Sequence, residues 1–246
     1  MKYSVVLLAG GSGKRLGIGY NKVLYKLETG LSILETSLKT FIDDLDCERI
    51  VLVINDDVEL AFKDDRIVKT HGGAERKDSV LNGLKLVESE YVLIHDSARP
   101  YLKKEHLEEV KKAVVEYGAC VLGVMSKDTI KRTTEDGFIA ETLNRSQIFL
   151  AQTPQAFITK ELLEAYKYDD GMATDDSMIY EALNKPIKAV IGDYSNIKIT
   201  YKEDLKWYLS LFLMGDIEDI FDLNNLRKCA IKTHFLVIDL VDNFIC

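Results

Sequence analysis

The stretch that decides the fold is Ser4-Val5-Val6-Leu7-Leu8-Ala9-Gly10-Gly11-Ser12-Gly13-Lys14-Arg15-Leu16-Gly17. In it, a short apolar run leads directly into a glycine-rich loop that carries two basic side chains. Glycines let backbone N–H groups approach an anion closely, and successive amides in such a loop form a concave anion site. The stretch therefore predicts a buried first strand and a phosphate-binding loop, with a merely flexible turn as the alternative.

The spacing of the glycines excludes the two commonest phosphate loops. A P-loop needs a glycine five positions before the Gly-Lys pair and Ser or Thr after it, whereas Arg15 follows Gly13-Lys14. A dinucleotide fingerprint needs G-x-G-x-x-G, whereas Leu16 occupies the last position. We therefore interpret the segment as a phosphate loop of a third kind.

Length and composition are those of one large globular α/β domain: 246 residues, of which 47% are apolar and 29% charged. The net charge of −8 argues against general binding to nucleic acid or to a membrane surface. The four cysteines are far apart and form no C-x-x-C pair, which favours a reduced, cytoplasmic chain without a zinc site. No signal peptide is visible, and the apolar run at 235–245 is too short and too charged to cross a bilayer.

Short apolar segments alternate with amphipathic ones along most of the chain. This alternation predicts an α/β fold with a Rossmann-like, doubly wound, mostly parallel sheet covered by helices on both faces. The predicted strands are at 4–9, 49–54, 67–70, 91–95, 119–124 and 187–191. The predicted helices are at 32–43, 77–88, 104–117, 160–166, 175–183 and 202–213.

The alternation breaks at about 126–150, where the sequence is polar and rich in threonine. Asp136-Gly137 lies there between two β-prone runs, which is a signal for a β-hairpin. A hairpin inserted into a doubly wound sheet forms a protruding arm, and such arms commonly serve contacts between subunits.

Polar segments follow three of the predicted strands. They are the glycine loop, the segment 71–79 and the segment 96–100. Ligands of open α/β sheets bind outside the carboxyl ends of the strands, so we expect these segments to form one site. The four histidines show no ligand spacing, and none is given a catalytic role. Asp175-Asp176 looks like a metal pair, but its place before a helical stretch predicts a helix N-terminus that shapes the site.

Eight blocks occur in order over residues 1 to about 214. They are 9–16, Gly72-Gly73-x-x-Arg76-x-x-Ser79-Val80, His95-Asp96-x-x-Arg99-Pro100, Asp128-Thr129-Ile130-Lys131, Thr142-Leu143-x-Arg145-Ser146, Gln152-Thr153-Pro154-Gln155-Ala156-Phe157, Thr174-Asp175-Asp176 and Asn196-Ile197-Lys198-Ile199-Thr200. With these blocks the chain resembles the 2-C-methyl-D-erythritol 4-phosphate cytidylyltransferases, nucleotidyltransferases with a Rossmann-like fold.

The resemblance implies transfer of CMP from CTP to the polyol phosphate, with release of pyrophosphate and with Mg²⁺ as cofactor. Positioning and charge neutralisation suffice for such a reaction, without a covalent intermediate. The residues implied to be catalytic are Arg15, Lys22 and Lys198. Those implied to bind CTP are Ala9, Gly10, Gly11, Gly13, Gly73, Ser79 and Asp96, of which Asp96 also assists the metal ion. Those implied to bind the polyol phosphate are Arg99, Thr129, Arg145, Thr153 and Thr174.

The predicted arm carries Thr129 and Arg145. The resemblance implies that both reach the active site of a partner subunit, which gives a homodimer with composite sites. It also implies that the cytidylyltransferase domain spans 1–214, because the family usually ends there. The C-terminal extension at 215–246 is then either an added helix and strand or a loosely ordered tail.

The chain departs from the family pattern at two places, and the first of them leaves the acceptor open. The chain has Ala9-Gly10-Gly11 where the family usually has Ala-Ala-Gly, and Ala-Gly-Gly also occurs in the ribitol-5-phosphate cytidylyltransferases of teichoic acid synthesis. Asn21-Lys22 replaces the Pro-Lys of many members but keeps the basic residue. The blocks at 142–145 and 174–176 fit the methylerythritol enzymes better.

Two further alternatives fit the sequence less well. Molybdenum-cofactor guanylyltransferases share the glycine loop, but they lack the Asp-Thr-Ile-Lys and Gln-Thr-Pro-Gln blocks. A nucleotide-binding protein without turnover would be favoured by loss of the three implied cations, and this chain retains all three.

Overall fold

The computed structural model describes residues 1–10, 17–27, 29–207 and 210. The chain divides into two compact units, Met1–Lys202 and Glu203–Cys246. All strands and helices given below belong to the first unit. Of the helix predicted at 202–213, residues 202–207 and 210 are helical, and the predicted extension at 215–246 lies outside the described residues.

The described strands form one large sheet and one small one. The strands are β1 (Tyr3–Leu8), β2 (Cys47–Val53), β3 (Ile67–Thr70), β4 (Tyr91–Asp96), β5 (Ala119–Met125), β6 (Lys131–Thr133), β7 (Ile139–Thr142), β8 (Phe149–Ile158) and β9 (Lys188–Ile191). The large sheet has the order β3-β2-β1-β4-β8-β5-β9, and β6 pairs with β7 alone.

Most neighbours in the large sheet are parallel, which confirms the predicted doubly wound architecture. β1 lies between β2 and β4 and is parallel to both, and β5 is parallel to β9. β8 is the exception, because it runs antiparallel to both β4 and β5. It is also the strand of this sheet that the sequence pattern misses.

Helices cover both faces of the large sheet. They are α1 (Ile33–Ile42), α2 (Arg76–Leu84), α3 (Lys104–Tyr117), α4 (Thr159–Ala165) and α5 (Asp176–Glu181). Buried side chains of α1 and α3 pack in one apolar cluster, and those of α2, α4 and α5 pack in a second cluster. β1 contributes to both, since Val5 and Leu7 belong to the first cluster and Val6 to the second. Side chains alternate along a strand, so burial on two faces explains why β1 is a continuous apolar run.

The segment predicted as an arm forms a two-stranded hairpin, as expected. β6 and β7 pair antiparallel, with Lys131 opposite Thr142 and Arg132 opposite Glu141. The predicted turn is present: Gly137 has a φ of +85° and donates its N–H to the Thr134 carbonyl over 3.0 Å. This left-handed backbone conformation favours glycine. Both strands are exposed along their whole length.

Pro154 lies inside β8, an interior strand of the large sheet. The β4–β8 ladder ends at the pair Ile94–Gln155, and the β5–β8 ladder shifts register between Val121–Gln155 and Gly123–Ala151. The missing N–H of the proline therefore falls in a bulge, where no ladder hydrogen bond is required. Residues 152–154 therefore have no partner in either ladder.

Candidate active site

A cleft of about 340 Å³ opens at the carboxyl ends of the central parallel strands. Leu8 at the end of β1, Val53 at the end of β2 and Asp96 at the end of β4 contribute to its lining. This is the edge where open α/β sheets bind ligands. Six residues assigned to a site from the sequence line the cleft together: Gly10, Lys22, Gly73, Ser79, Asp96 and Lys198.

The start of α2 forms one wall of this cleft. The Gly73 N–H donates to Ser79 Oγ over 3.0 Å, and Ser79 Oγ donates to the Glu75 carbonyl over 3.1 Å. A Cβ at Gly73 would lie 2.1 Å from the Cβ of Asp78, so the close approach of the backbone requires glycine here. The N-terminal N–H groups and the dipole of α2 favour electronegative ligand atoms at this wall.

Asp96 is an acidic residue of the cleft, and two cations lie beside it. Lys198 Nζ is 2.6 Å from Oδ2, and Arg76 Nε is 3.7 Å from Oδ1. Burial alone would raise the pKa of Asp96, but the charges of Lys198 and Arg76 outweigh it and lower the pKa to about 2. Asp96 is therefore a carboxylate at neutral pH.

Arg76 is a cleft residue to which the sequence analysis assigns no role. Its Nη2 lies 2.7 Å from Asp176 Oδ2, and Tyr166 OH donates to Asp176 Oδ1 over 2.7 Å. Asp176 is fully buried, so these contacts fix the guanidinium between α5 and Asp96. The sequence signal for Arg76 is its place in the Gly72-Gly73-x-x-Arg76 block. In the structure it is the first residue of α2.

Asp175 and Asp176 lie at the start of α5, as predicted, and they have different structural roles. Asp175 caps α5, because its side chain accepts the Met178 N–H over 2.9 Å. Asp176 instead neutralises Arg76. No group of three or more His, Cys, Asp or Glu side chains converges on a possible metal position within the described residues.

Lys22 and Lys198 reach the cleft from separate segments that contact each other. Lys22 begins a 3₁₀ turn at Lys22–Leu24, and its Nζ donates to the Ile199 carbonyl over 2.6 Å. The Ile199 N–H in turn donates to the Ala98 carbonyl over 2.8 Å, which ties this segment to the loop after β4. Two positive charges thus lie on one side of the cleft.

Arg99 lies behind Asp96 in a mostly buried position. Its Nη1 donates to the Asn196 carbonyl over 2.7 Å, while its Nε is buried without a hydrogen-bond partner among the described residues. Burial lowers the pKa of Arg99, and the nearby Asp96 opposes this shift. A buried guanidinium with an unused N–H is suited to an anion that offers further acceptor oxygens.

Thr153 and His95 form a hydrogen-bonded chain beneath the site. His95 Nε2 lies 3.2 Å from the Arg99 carbonyl, which only accepts, so Nε2 carries the proton. In the neutral ring Nδ1 then accepts from Thr153 Oγ1 over 3.1 Å, and Oγ1 accepts the Asp96 N–H over 3.1 Å. The bulge in β8 therefore lets one hydroxyl hold the backbone of Asp96. The implied contact of Thr153 with the polyol phosphate stays a prediction.

The other predicted site residues lie outside the lining of this cleft or outside the described part of the chain. Ala9 is buried behind the cleft, and its N–H donates to the Val53 carbonyl over 2.9 Å. Thr129, Arg145 and Thr174 are exposed elsewhere, with Arg145 Nη1 donating to the Lys127 carbonyl over 2.9 Å. Gly11, Gly13 and Arg15 belong to the segment 11–16, which lies outside the described residues.

The family model of the 2-C-methyl-D-erythritol 4-phosphate cytidylyltransferases matches residues 3–212. The chain belongs to this family. A cytidylyltransferase of that name from Lachnoclostridium phytofermentans is 45% identical over 220 residues, which cover 83% of this chain and 93% of the relative. Another, from Geobacillus thermodenitrificans, is 43% identical over 218 residues, covering 83% of this chain and 94% of the relative.

Solved structures of the family agree with the fold. The crystal structure of 4-diphosphocytidyl-2C-methyl-D-erythritol synthase from Anaerococcus prevotii superposes with a TM-score of 0.75 at 33% identity, covering 85% of this chain and 96% of that one. The cytidylyltransferase from Francisella tularensis gives a TM-score of 0.73 at 30% identity, covering 85% of this chain and 98% of that one. The family and the fold predicted from the sequence are confirmed. None of the described helices has the length and apolar character needed to span a membrane.

Proposed function

We propose that the chain transfers CMP from CTP to 2-C-methyl-D-erythritol 4-phosphate, giving 4-diphosphocytidyl-2-C-methyl-D-erythritol and pyrophosphate. The observation that carries the proposal is the meeting of Lys22, Lys198 and Asp96 in one cleft, at the end of the strand that leads into the glycine loop. Family membership supplies the nucleotide and the acceptor, since the relatives carry this activity in their names.

The reaction is an in-line displacement at the α-phosphorus of CTP. A phosphate oxygen of the acceptor forms the new P–O bond, and the bond from the α-phosphorus to the bridging oxygen breaks, so its electron pair leaves with pyrophosphate. No proton has to be removed from an ionised phosphate nucleophile. The obstacle is repulsion between two anions, and preorganised cations at the developing charge lower this barrier. Lys22 and Lys198 are placed to supply such charge.

We propose Asp96 as the protein ligand of a Mg²⁺ ion that CTP brings with it. Magnesium sites at nucleotides use one or two carboxylates together with phosphate oxygens. An ionised carboxylate at the cleft fits this donor set, and bound Mg²⁺ would neutralise charge on the triphosphate. EDTA should abolish turnover and added Mg²⁺ should restore it; full activity in a metal-free assay would contradict the assignment.

The acceptor phosphate is assigned to Arg99, whose buried guanidinium retains an unused Nε–H among the described residues. The arm supplies the remaining acceptor contacts in this proposal. Thr129 and Arg145 do not line the cleft of their own chain, which supports the proposal that they contact the active site of a second copy. Phe138 and Ile139 on the arm are 74% and 66% exposed, as expected for a surface that a partner subunit covers.

The proposed compartment is the cytoplasm. Cys47 and Cys120 are buried and free, and burial raises the pKa of both thiols to about 12, so neither is a reactive thiolate. Such cysteines suit a reducing compartment.

The deciding experiment measures pyrophosphate release with CTP and Mg²⁺ in parallel reactions. One contains methylerythritol phosphate and the other contains ribitol 5-phosphate. We expect release with the first acceptor only. Turnover of ribitol 5-phosphate alone would assign the enzyme to teichoic acid synthesis, and silence with both acceptors would leave a nucleotide-binding protein without turnover.

A further inference from the structure

Asn21 is a buried polar residue directly before Lys22, and both its amide nitrogen and its amide oxygen are hydrogen-bonded to the protein. It is 8% exposed. Its Nδ2 lies 2.7 Å from the Ala9 carbonyl and 2.7 Å from Asp56 Oδ2, and its Oδ1 accepts the Val23 N–H over 3.3 Å. The Ala9 carbonyl only accepts, and the Val23 N–H only donates. These partners fix which end of the amide is nitrogen.

The three contacts connect three parts of the fold. Ala9 directly follows β1 and precedes the glycine loop, and Asp56 lies just after β2. Val23 belongs to the 3₁₀ turn that begins with Lys22. The backbone that carries Lys22 is therefore tied through one amide to the carboxyl ends of two central strands.

The same turn delivers the Lys22 ammonium to the cleft. Val23 is 1% exposed and anchors the turn in the core, and the Tyr25 N–H closes it on the Lys22 carbonyl over 3.1 Å. A lysine side chain is long and flexible, so an accurate ammonium position requires a fixed backbone beneath it. A displacement of 1 Å at a reacting group can cost about 100-fold in rate.

We propose that Asn21 is the positioning residue for Lys22, holding its ammonium at the place where a nucleoside triphosphate presents its β- and γ-phosphates. This inference rests on the proposed function and assigns Asn21 no contact with the nucleotide. Its distinctive consequence is selectivity: loss of the amide should weaken binding of a triphosphate and spare binding of a monophosphate.

The principal test replaces Asn21 by aspartate. Asn21→Asp keeps the size and the oxygen that caps the turn, but it turns two donated hydrogen bonds into contacts between acceptors. We expect the Kd for CTP, measured by calorimetry, to rise about tenfold, which is 1.4 kcal/mol. The Kd for CMP should stay within about twofold. Asn82→Asp is the matched control, because Asn82 Nδ2 also donates to a backbone carbonyl, that of His71 over 3.2 Å, and does not contact Lys22.

A double-mutant cycle with Lys22→Met separates positioning from a general structural role. In the Lys22→Met background, Asn21→Asp should change the Kd for CTP less than about twofold. Equal weakening of CTP and CMP, or an undiminished effect without Lys22, would overturn the proposal.

A second variant covers the case in which Asn21→Asp does not fold. Asn21→Ala removes the side-chain contacts to Ala9, Asp56 and Val23 without adding a charge or a ring. It should show the same selective loss of CTP binding, and wild-type affinity in a folded Asn21→Ala protein would refute the inference. Failure of the wild-type chain to bind CTP would instead refute the proposed function.

Discussion

Lys198 and Asp96, which are 102 residues apart in the chain, form an ion pair with Nζ 2.6 Å from Oδ2. Asp96 is buried at the end of β4, whereas the Lys198 side chain is 42% exposed. The carboxylate therefore holds the ammonium over the cleft before any ligand arrives. In the proposed reaction, an incoming phosphate would compete with Asp96 for the same ammonium, and the lysine would meet it already in place.

Replacing Lys198 by methionine should lower kcat by about 100- to 1000-fold, as expected when one preorganised donor to the developing charge is lost. The free energy of unfolding should fall by about 2 kcal/mol, because the buried Asp96 carboxylate loses a charged hydrogen-bond donor and keeps Arg76 beside it. Pyrophosphate release and urea unfolding measure the two quantities. Lys112→Met is the matched control, since Lys112 pairs with Glu109 on the exposed side of α3. Near wild-type turnover in Lys198→Met would remove this lysine from the site.

Replacing Asp176 by alanine should destabilise the fold by about 3 kcal/mol, the lower end for a broken buried ion pair, because Arg76 retains some access to water. The loss should also lower activity, since Arg76 would no longer be held beside Asp96. Urea denaturation gives the first effect. Asp170→Ala, an exposed aspartate in the preceding loop, should be close to neutral. Equal stability of the two variants would show that the Arg76–Asp176 pair is not an anchor.

The stability of the protein should fall between pH 6.5 and pH 4 because of His95. Burial lowers the pKa of His95 to about 4, so the unfolded chain binds a proton in this range that the folded chain excludes. A gap of about 2.5 pH units corresponds to about 3 kcal/mol, present at pH 7 and lost by pH 4. Urea denaturation across this range measures how the free energy of unfolding depends on pH. In His95→Gln this dependence should be weaker by the contribution of one proton. If that variant does not fold, NMR titration of the wild-type ring decides, and a pKa near 6.5 would contradict the prediction.

Mixing two inactive variants should restore activity if active sites are shared between subunits. Arg145→Ala damages the acceptor contacts that the arm supplies, and Lys198→Met damages the cleft. Random reassociation makes half of the dimers mixed with one intact site each, so about a quarter of the wild-type rate should return. Lys22→Met mixed with Lys198→Met is the control without rescue. Each substitution damages the cleft of its own chain, so a mixed dimer contains no intact site. Equal rates in the two mixtures would rule out composite sites.

Most of the fold could be predicted because local pattern and burial agree. The run Val5–Leu8 of β1 is apolar since both faces of the strand are covered, and Asp136-Gly137 predicts the arm because it is a strong local turn signal. β8 was missed because Pro154 normally excludes a central strand. The bulge that accommodates it depends on the register of β5, a long-range property that no local window contains.

The candidate site was predicted in part for the same reason. Residues that follow strands, such as Asp96, could be placed at the sheet edge from topology alone. The role of Arg76 depends on Asp176, which is 100 residues further along the chain, and that of Asn21 depends on Asp56. Neither pairing has a sequence spacing that local rules recognise. Gly11, Gly13 and Arg15 remain predictions from the motif.

The reversed direction of β8 has a consequence for how this enzyme can vary. β5 ends and β8 begins at the same rim of the sheet, so the arm leaves and re-enters through two adjacent, hydrogen-bonded strands. A parallel strand in that position would return the chain at the opposite rim and make the connection part of the scaffold. The arm therefore starts and ends at the same edge of the sheet. Insertions or deletions within 127–147 change how far it extends and leave the register of the large sheet unchanged. The length of this segment can therefore change while the lining of the candidate active-site cleft stays constant.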